Sequence, residues 1–395
     1  MKTTSLFFAM LCSYTCFAQP QWQQCNIGPC NYFVKSFIET PASLLASGTC
    51  SSVDSGATWN LVNGGQFAFC IKETSAGLFA GSDTAIYFSA NWGSSWVPVY
   101  FTSGSLNFVY DLAVMGDTVF AITRYSGVLM SPDNGNTWSA VIVGLPTDSM
   151  LSILSFNNSL YLGTQGGGIF KSSNSGNNWT AINNGIPSNA SINNIISDGL
   201  KIYASSNYAV YISDDAGLTW VTSPGSPGNI NKLAVAGNAL LAGCFTLNGS
   251  SGVFRSMDQG ITWQLFANGL PAGCAYGVSS IYSGSEYVYL AMESQCGSIY
   301  RIEKNVVETS LNNESTTHAP YVLQPNPFSH EIQIINNTNE TSQLFLYDMS
   351  SRLIMNQIFH HNLLLNTNHV DMGIYIYKIT SDSNTISTGK IIKYR

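Results

Sequence analysis

Two kinds of short apolar run alternate along most of this chain. The first carries a small residue near its middle or end in most copies and recurs seven times: Leu44-Leu45-Ala46, Leu78-Phe79-Ala80, Val119-Phe120-Ala121, Leu160-Tyr161-Leu162, Ile202-Tyr203-Ala204, Leu240-Leu241-Ala242 and Val288-Tyr289-Leu290. The second is usually introduced by Gly or Ser. Its copies are Ile86-Tyr87-Phe88, Val128-Leu129-Met130, Ile169-Phe170-Lys171, Val210-Tyr211-Ile212, Val253-Phe254-Arg255 and Ile299-Tyr300-Arg301. Runs this short, rich in β-branched and aromatic residues and punctuated by Gly, Ser and Asn, predict β-strands.

Between the second run and the next apolar segment lies Ser-x-Asp-x-Gly-x-Thr-Trp or a worn form of it. The copies are Ser52–Trp59, Ser89–Trp96, Ser131–Trp138, Ser172–Trp179, Ser213–Trp220 and Ser256–Trp263. The tryptophans Trp59, Trp96, Trp138, Trp179, Trp220 and Trp263 are 37, 42, 41, 41 and 43 residues apart. That period is close to one four-stranded blade, so the repeat predicts an all-β fold, a β-propeller. The acidic position is Asp54, Asp133, Asp215 and Asp258 in four copies but Asn91 and Asn174 in two. A position that accepts Asn is used as a hydrogen-bond acceptor, expected here to take backbone N–H groups two residues on and hold the turn. The Gly supplies a positive φ and the Trp buries its ring over the hairpin. The motif resembles the Asp-box of sialidases, bacterial xyloglucanases and sortilin-type receptors, which implies a structural role for these residues.

The seventh unit has its inner strands but no box and no Trp strand. Gln21-Trp22-Gln23-Gln24-Cys25 reads like Thr262-Trp263-Gln264-Leu265-Phe266, so the N-terminal strand is expected to complete the last blade. Closure would leave no sheet edge unpaired. The expected fold is a seven-bladed β-propeller over residues 19–305, followed by a small C-terminal β-sandwich.

Composition changes this picture little. The 395 residues are 45% hydrophobic and only 9% charged, with net charge −7, so nothing suggests a basic groove for nucleic acid. Residues 1–18 have the charged start, short apolar run and small-residue end of a secretory signal, too short to span a bilayer. Seven cysteines remain after residue 18, an odd number for an exported protein. Cys30 and Cys274 fall at corresponding repeat positions, and Cys274 with Cys296 is a candidate pair within one blade. No spacing suits zinc.

Residues 306–319 read as a polar linker. Residues 320–395 resemble the type A C-terminal sorting domain of the type IX secretion system of Bacteroidota. The resemblance rests on Leu323-Gln324-Pro325-Asn326-Pro327-Phe328, Leu346-Tyr347-Asp348, Met372-Gly373-Ile374-Tyr375-Ile376-Tyr377 and Gly389-Lys390-Ile391-Ile392-Lys393. It implies the outer-membrane translocon as a partner, export to the surface or the medium, and removal of the domain afterwards. Ser350-Ser351-Arg352 departs from the family, which usually places Gly before the basic residue.

Catalytic chemistry finds little support. All five histidines lie beyond residue 317, which excludes His-based triads and His-ligated metals from the propeller. The propeller has three arginines, and Arg255 and Arg301 share one repeat position with Lys171, so they diverge around the ring and form no sialidase-type clamp. Asp111, Asp148, Asp198, Glu286 and Glu293 are the main acids outside the boxes. Asp111, at the start of an innermost strand, is expected as a solvated strand-end residue or a ligand contact. Tyr110, Tyr208 and Tyr276 are candidate ligand aromatics near inner-strand starts. No catalytic residue, metal or cofactor is assigned. The expected function is a secreted or surface binding module for an extracellular glycan or protein; the alternatives are a glycoside hydrolase acting on polysaccharide and a structural surface adhesin.

Overall fold

The computed structural model describes residues 21–28, 30, 34–62, 65, 67–102, 107–146, 149–245, 252–271, 277–293, 298–308, 321–324, 330–336, 340–348, 352–381 and 386–393. The expected signal segment, Asp148, Cys274, Tyr276, Cys296 and most of the linker lie outside them. The chain divides into two compact units, Met1–Ser310 and Leu311–Arg395.

The first unit is built from seven four-stranded antiparallel sheets. Their first strands are Phe37–Glu39, Cys70–Thr74, Val109–Met115, Met150–Phe156, Ile192–Ser197, Ile230–Ala236 and Val278–Ser283. Each first strand adjoins the first strand of the next sheet, and that of the seventh adjoins that of the first, so the circle is closed. The recurring apolar runs form the second strands, and Gly77–Gly81, Ser159–Thr164 and Ala239–Cys244 are buried along their whole length. Outer strands such as Thr180–Ala181 and Gln264–Leu265 are exposed and only two residues long. The core is thus carried by the middle strands, sandwiched between neighbouring sheets.

The seventh sheet takes its outer strand from the other end of the chain. Gln23 and Gln24 pair with Arg301 and Tyr300. Trp22 is buried and repeats the bonds of the motif tryptophans. Its backbone N–H donates to Asn268 O (2.8 Å) and its indole Nε1 to Phe266 O (2.8 Å), as Trp220 does to Asn184 O and Ile182 O (2.8 Å each).

The repeated turn is a hydrogen-bonded knot. In Ser131–Trp138 the buried Ser131 hydroxyl accepts the Gly135 N–H (2.7 Å) and donates to Asp133 Oδ1 (2.9 Å). Asp133 Oδ1 also accepts the Thr137 N–H (2.8 Å), and Oδ2 accepts the Thr137 hydroxyl (2.7 Å). The carboxylate therefore serves the N–H four residues on, and the serine serves the glycine. The reason is a pair of successive positive φ angles, as at Asn134 (53°) and Gly135 (88°), which turn the glycine N–H back to the serine. Asn91 keeps the arrangement: its Oδ1 accepts the Ser95 N–H (2.8 Å) and its Nδ2 donates to Ser95 Oγ (2.9 Å). The indoles act less uniformly than a simple fold-back. Trp59 and Trp138 donate to their own glycine carbonyls, whereas Trp179 and Trp220 donate to the preceding unit.

A basic side chain at one repeat position ties neighbouring sheets. Lys171 Nζ donates to Ala216 O (3.0 Å) and Arg301 Nη1 to Ser55 O (2.6 Å), each inside the next unit's turn. Arg255 faces the unit that lacks a turn. There the helix Lys304–Glu308 stands in, with Arg255 Nη1 donating to Val306 O (3.3 Å) and Val307 O (3.1 Å). The boundary expected at residue 305 falls inside this helix, whose Val307 is fully buried.

Cys30 is bonded to Cys50, a pairing the repeat correspondence with Cys274 did not suggest. Cys25, Cys70 and Cys244 are free and buried. Burial pushes the Cys25 thiol up to about 11 and that of Cys244 to about 12, so neither is a nucleophile at neutral pH.

The second unit has a three-stranded sheet, Tyr321–Gln324, Glu331–Asn336 and Leu363–Asn366, and a four-stranded sheet of Leu353–Phe359, Ser342–Asp348, Gly373–Ser381 and Ile386–Lys393. Alternating side chains of Ser342–Asp348 are buried. Leu344 and Leu346 join Ile332, Ile334, Phe359, Ile379 and Ile391 in one apolar cluster.

Candidate ligand site at the central channel

The circle of first strands is stitched by side chains at one repeat position. Ser36 Oγ accepts the Ile71 N–H (3.2 Å), Ser152 Oγ the Ile195 N–H (3.1 Å) and Asn194 Oδ1 the Leu233 N–H (2.9 Å). Asp111 occupies the same position. Its Oδ2 accepts the Ile153 N–H (3.0 Å) and the Ser152 hydroxyl (3.3 Å), and its Oδ1 the Leu112 N–H (2.9 Å). A break in the ladder register beside each of Asp111, Ser152, Asn194, Lys232 and Ser280 aims these residues across the sheet boundary.

The strands enclose a cavity of about 460 Å³. It is lined by residues of all seven first strands and the segments leading into them, among them Lys35, Phe69, Lys72, Tyr110, Asp111 and Lys232. Lys35 forms an ion pair with Glu293. Burial lowers the Lys232 pKa, as do the like charges of Lys72 and Lys35, against the opposing pull of Asp111. The Cys70 thiol is raised strongly, first by burial and then by Asp111, and so stays protonated.

The two candidate tyrosines that fall within the described residues, Tyr110 and Tyr208, separate here. Tyr110 lines the cavity beside Asp111. Tyr208 is exposed in the loop between Ile202–Ser206 and Val210–Ser213 and is absent from the cavity wall. It does not head an innermost strand; only its neighbour Asn207, which accepts the Asn229 N–H (2.8 Å), lies close to one. Asp111 is no solvated strand end either, because every oxygen is spent on backbone or a hydroxyl. Asp198 closes its own turn, accepting from Leu200 N, Lys201 N and Tyr203 Oη (2.8, 2.7 and 2.8 Å). Burial opposes its ionisation, yet these donors outweigh it and lower its pKa.

Sequence reasoning passed over Lys232, Lys72 and a chain of half-buried rings at the entry to the second and third sheets. Phe67 and Phe69 lie 5.3 Å apart, Phe69 and Phe108 5.4 Å, and Phe108 and Tyr110 6.1 Å. The Arg124 guanidinium lies 5.7 Å from the Phe108 ring and 5.2 Å from that of Tyr125. Buried Asn107 fixes the Arg124 loop, its Oδ1 accepting the Tyr125 N–H (2.9 Å) and its Nδ2 donating to Ser126 Oγ (2.9 Å). The one available signal was Phe67 and Phe69 standing where each next unit's first strand begins. Among the described residues no group of His, Cys, Asp and Glu could hold a metal, and no helix is long and apolar enough to cross a membrane.

Residues 144–293 match the DUF6242 beta propeller domain, and residues 322–394 match the secretion system C-terminal sorting domain. The chain thus carries a β-propeller domain followed by a type IX sorting domain, which directs it to the cell surface or extracellular space. No curated protein matches the sequence. Among solved structures, the extracellular domain of a hybrid two-component system from B. thetaiotaomicron superposes with a TM-score of 0.58 at 15% identity, over 95% of this chain and 47% of that one. A GH74 xyloglucanase from Xanthomonas campestris gives 0.58 at 15% identity, over 84% of this chain and 58% of that one. YCF48 bound to D1 peptide gives 0.53 at 15% identity, over 75% of this chain and 99% of that one. The chain spans about half the length of the first of these, and at such identities the likeness is one of fold.

Proposed function

We propose that this chain is an exported seven-bladed Asp-box propeller that binds an extracellular ligand at the mouth of its central channel and does not turn it over. Residues 19 to about 308 form the propeller, and the C-terminal unit from about residue 320 is a β-sandwich that serves as the address read by the secretion translocon. The boxes are structural, since their carboxylates are consumed by the turns they close. The observation that carries the reading is the single cavity into which all the first strands converge, with Tyr110, Lys72 and Lys232 on its wall. Pockets of some ~300–1,000 Å³ with an apolar lining and a few placed polar groups are where small ligands usually bind. A protein or a glycan chain could present the group that enters.

Asp111 argues against a hydrolase. A glycosidase needs a free carboxyl pair flanking the scissile bond, and this carboxylate is held by three N–H and O–H donors. The test is a glycan array, a protein-partner capture and a hydrolase panel on the purified full chain, wild type beside Asp111→Asn. Binding without turnover is expected. Turnover by wild type that vanishes in Asp111→Asn, with binding kept, would make the protein a hydrolase.

A further inference from the structure

Lys232 stands at a repeat position that four of the seven sheets use for an acceptor. Ser36, Asp111, Ser152 and Asn194 at that position each accept a backbone N–H from the next sheet. A protonated amine has no lone pair to offer, so Lys232 cannot do this for the sheet that follows. Its side chain lines the cavity instead, and among the described residues it makes no ion pair or hydrogen bond through its amine. Lys72 lines the same cavity and is likewise unpaired among the described residues. Of the other charged groups on the wall, Lys35 is neutralised by Glu293, Asp111 accepts from three neutral donors and attracts Lys232 without an ion pair, and Glu73 is exposed beside Lys72 in the same strand.

The Lys232 amine on the cavity wall and the more exposed Lys72 amine, neither in an ion pair among the described residues, suit an anion that accepts from both. Beside them stand the partly exposed faces of Phe69 and Tyr110, continued outward by Phe108. Ser197 and Asn194 also line the wall, their polar groups bonded to Lys201 O, Gly199 N, Leu233 N and Ser152 Oγ. An anion alone would not use the rings. A sugar ring has an apolar C–H face for an aromatic platform, hydroxyls for the polar wall and, in a uronic acid, a carboxylate on the same rigid ring. We propose that the channel mouth seats a uronic-acid residue of an acidic glycan, its carboxylate held by Lys232 and Lys72 and its apolar face on Phe69 and Tyr110. This rests on the mouth being the ligand site.

The test is calorimetric titration of the purified full chain with galacturonic-acid oligosaccharides, their methyl esters and galactose oligosaccharides of equal length. Esterification removes the charge and keeps the shape. The free acid is expected to bind about tenfold or more tighter than the ester, the scale of one charge-assisted hydrogen bond. Lys232→Met and Lys72→Gln should each erase most of that difference, and added salt should reduce it. Near-ultraviolet circular dichroism checks folding; should Lys232→Met misfold, exposed Lys72→Gln and the ester still decide the matter. Equal binding of acid, ester and neutral sugar would overturn the uronate seat and leave the binding-module reading intact. Binding of none of the three, with a protein captured in the parallel screen, would overturn it as well and make the ligand a protein. Blank results in both would remove the module reading itself.

Discussion

Gly185 and Gly199 are a matched pair for separating backbone strain from packing. Both hold φ in the left-handed region, +95° and +92°. An added Cβ at Gly199 would meet nothing within 4 Å, whereas at Gly185 it would lie 1.9 Å from the backbone oxygen of Trp220. For Gly199→Ala the strain of about 1–2 kcal/mol is partly offset by the less flexible unfolded chain, leaving about 1 kcal/mol. At Gly185 the same strain is joined by an overlap with main chain that cannot swing aside. Relief must separate residue 184 from Trp220, disturbing the bonds of Trp220 to Asn184 O and Ile182 O, each 2.8 Å long. Two such bonds at about 1 kcal/mol each bring the total to about 3 kcal/mol. All eight tryptophans lie between residues 22 and 263, so Trp fluorescence in urea reports the first unit alone. With a slope of about 3 kcal/mol per molar, Gly185→Ala should lower the midpoint by about 1 M and Gly199→Ala by about a third of that. Equal shifts, or a silent Gly185→Ala, would refute the claim that this close approach locks consecutive units together.

The box chemistry predicts that Asp133→Asn is nearly silent in the same assay, with Thr137 reorienting as Ser95 does opposite Asn91. Ser131→Ala should instead cost about 1–3 kcal/mol by leaving the buried Gly135 N–H unpaired. The Thr58 and Thr219 hydroxyls, aided by their backbone N–H groups, hold Asp54 and Asp215 at about 2 against an ordinary 3.8. Their contribution to stability is therefore complete above about pH 4 and lost as pH falls from 3.8 toward 2, so Tm should drop in that window and Asp215→Asn should flatten the drop. Replacing Cys30 and Cys50 by Ser frees a loop of 20 residues, with an expected loss of about 3 kcal/mol by denaturation under oxidising conditions. Truncation after Gly389 removes half of the strand Ile386–Lys393 that pairs with Gly373–Ser381, and cell fractionation should then find the protein retained in the periplasm.

What could be read from the sequence was whatever repeats. The apolar triplets became strands because Gly and Ser punctuate them, and Trp22 could be matched to the outer strands because it makes the same bonds as Trp220. The acceptor role of the box carboxylate was legible from Asn91 and Asn174, but its partner was not. Which N–H it meets depends on two consecutive left-handed residues, and the first is as varied as Ser55, Trp92 and Gln259. Lys232 could not be singled out, since its repeat position acquires a meaning only when neighbouring sheets meet and Ser36, Asp111, Ser152 and Asn194 are seen to accept an N–H there. Val306-Val307-Glu308 resembled linker because the helix Lys304–Glu308 is little more than a single turn, held from outside by Arg255.

That single helical turn sets a limit on how the export tag can be cut away. The two carbonyls that accept from Arg255 Nη1 belong to Val306 and Val307, beyond the last strand at Ile299–Glu303. The next strand of the sorting unit begins at Tyr321. A protease working before Val306 would remove two carbonyls that Arg255 donates to and expose the apolar seat of Val307; one working past Tyr321 would leave part of a strand on the cargo. We propose that a cut removing the sorting unit falls in residues 309–320, which would spare both.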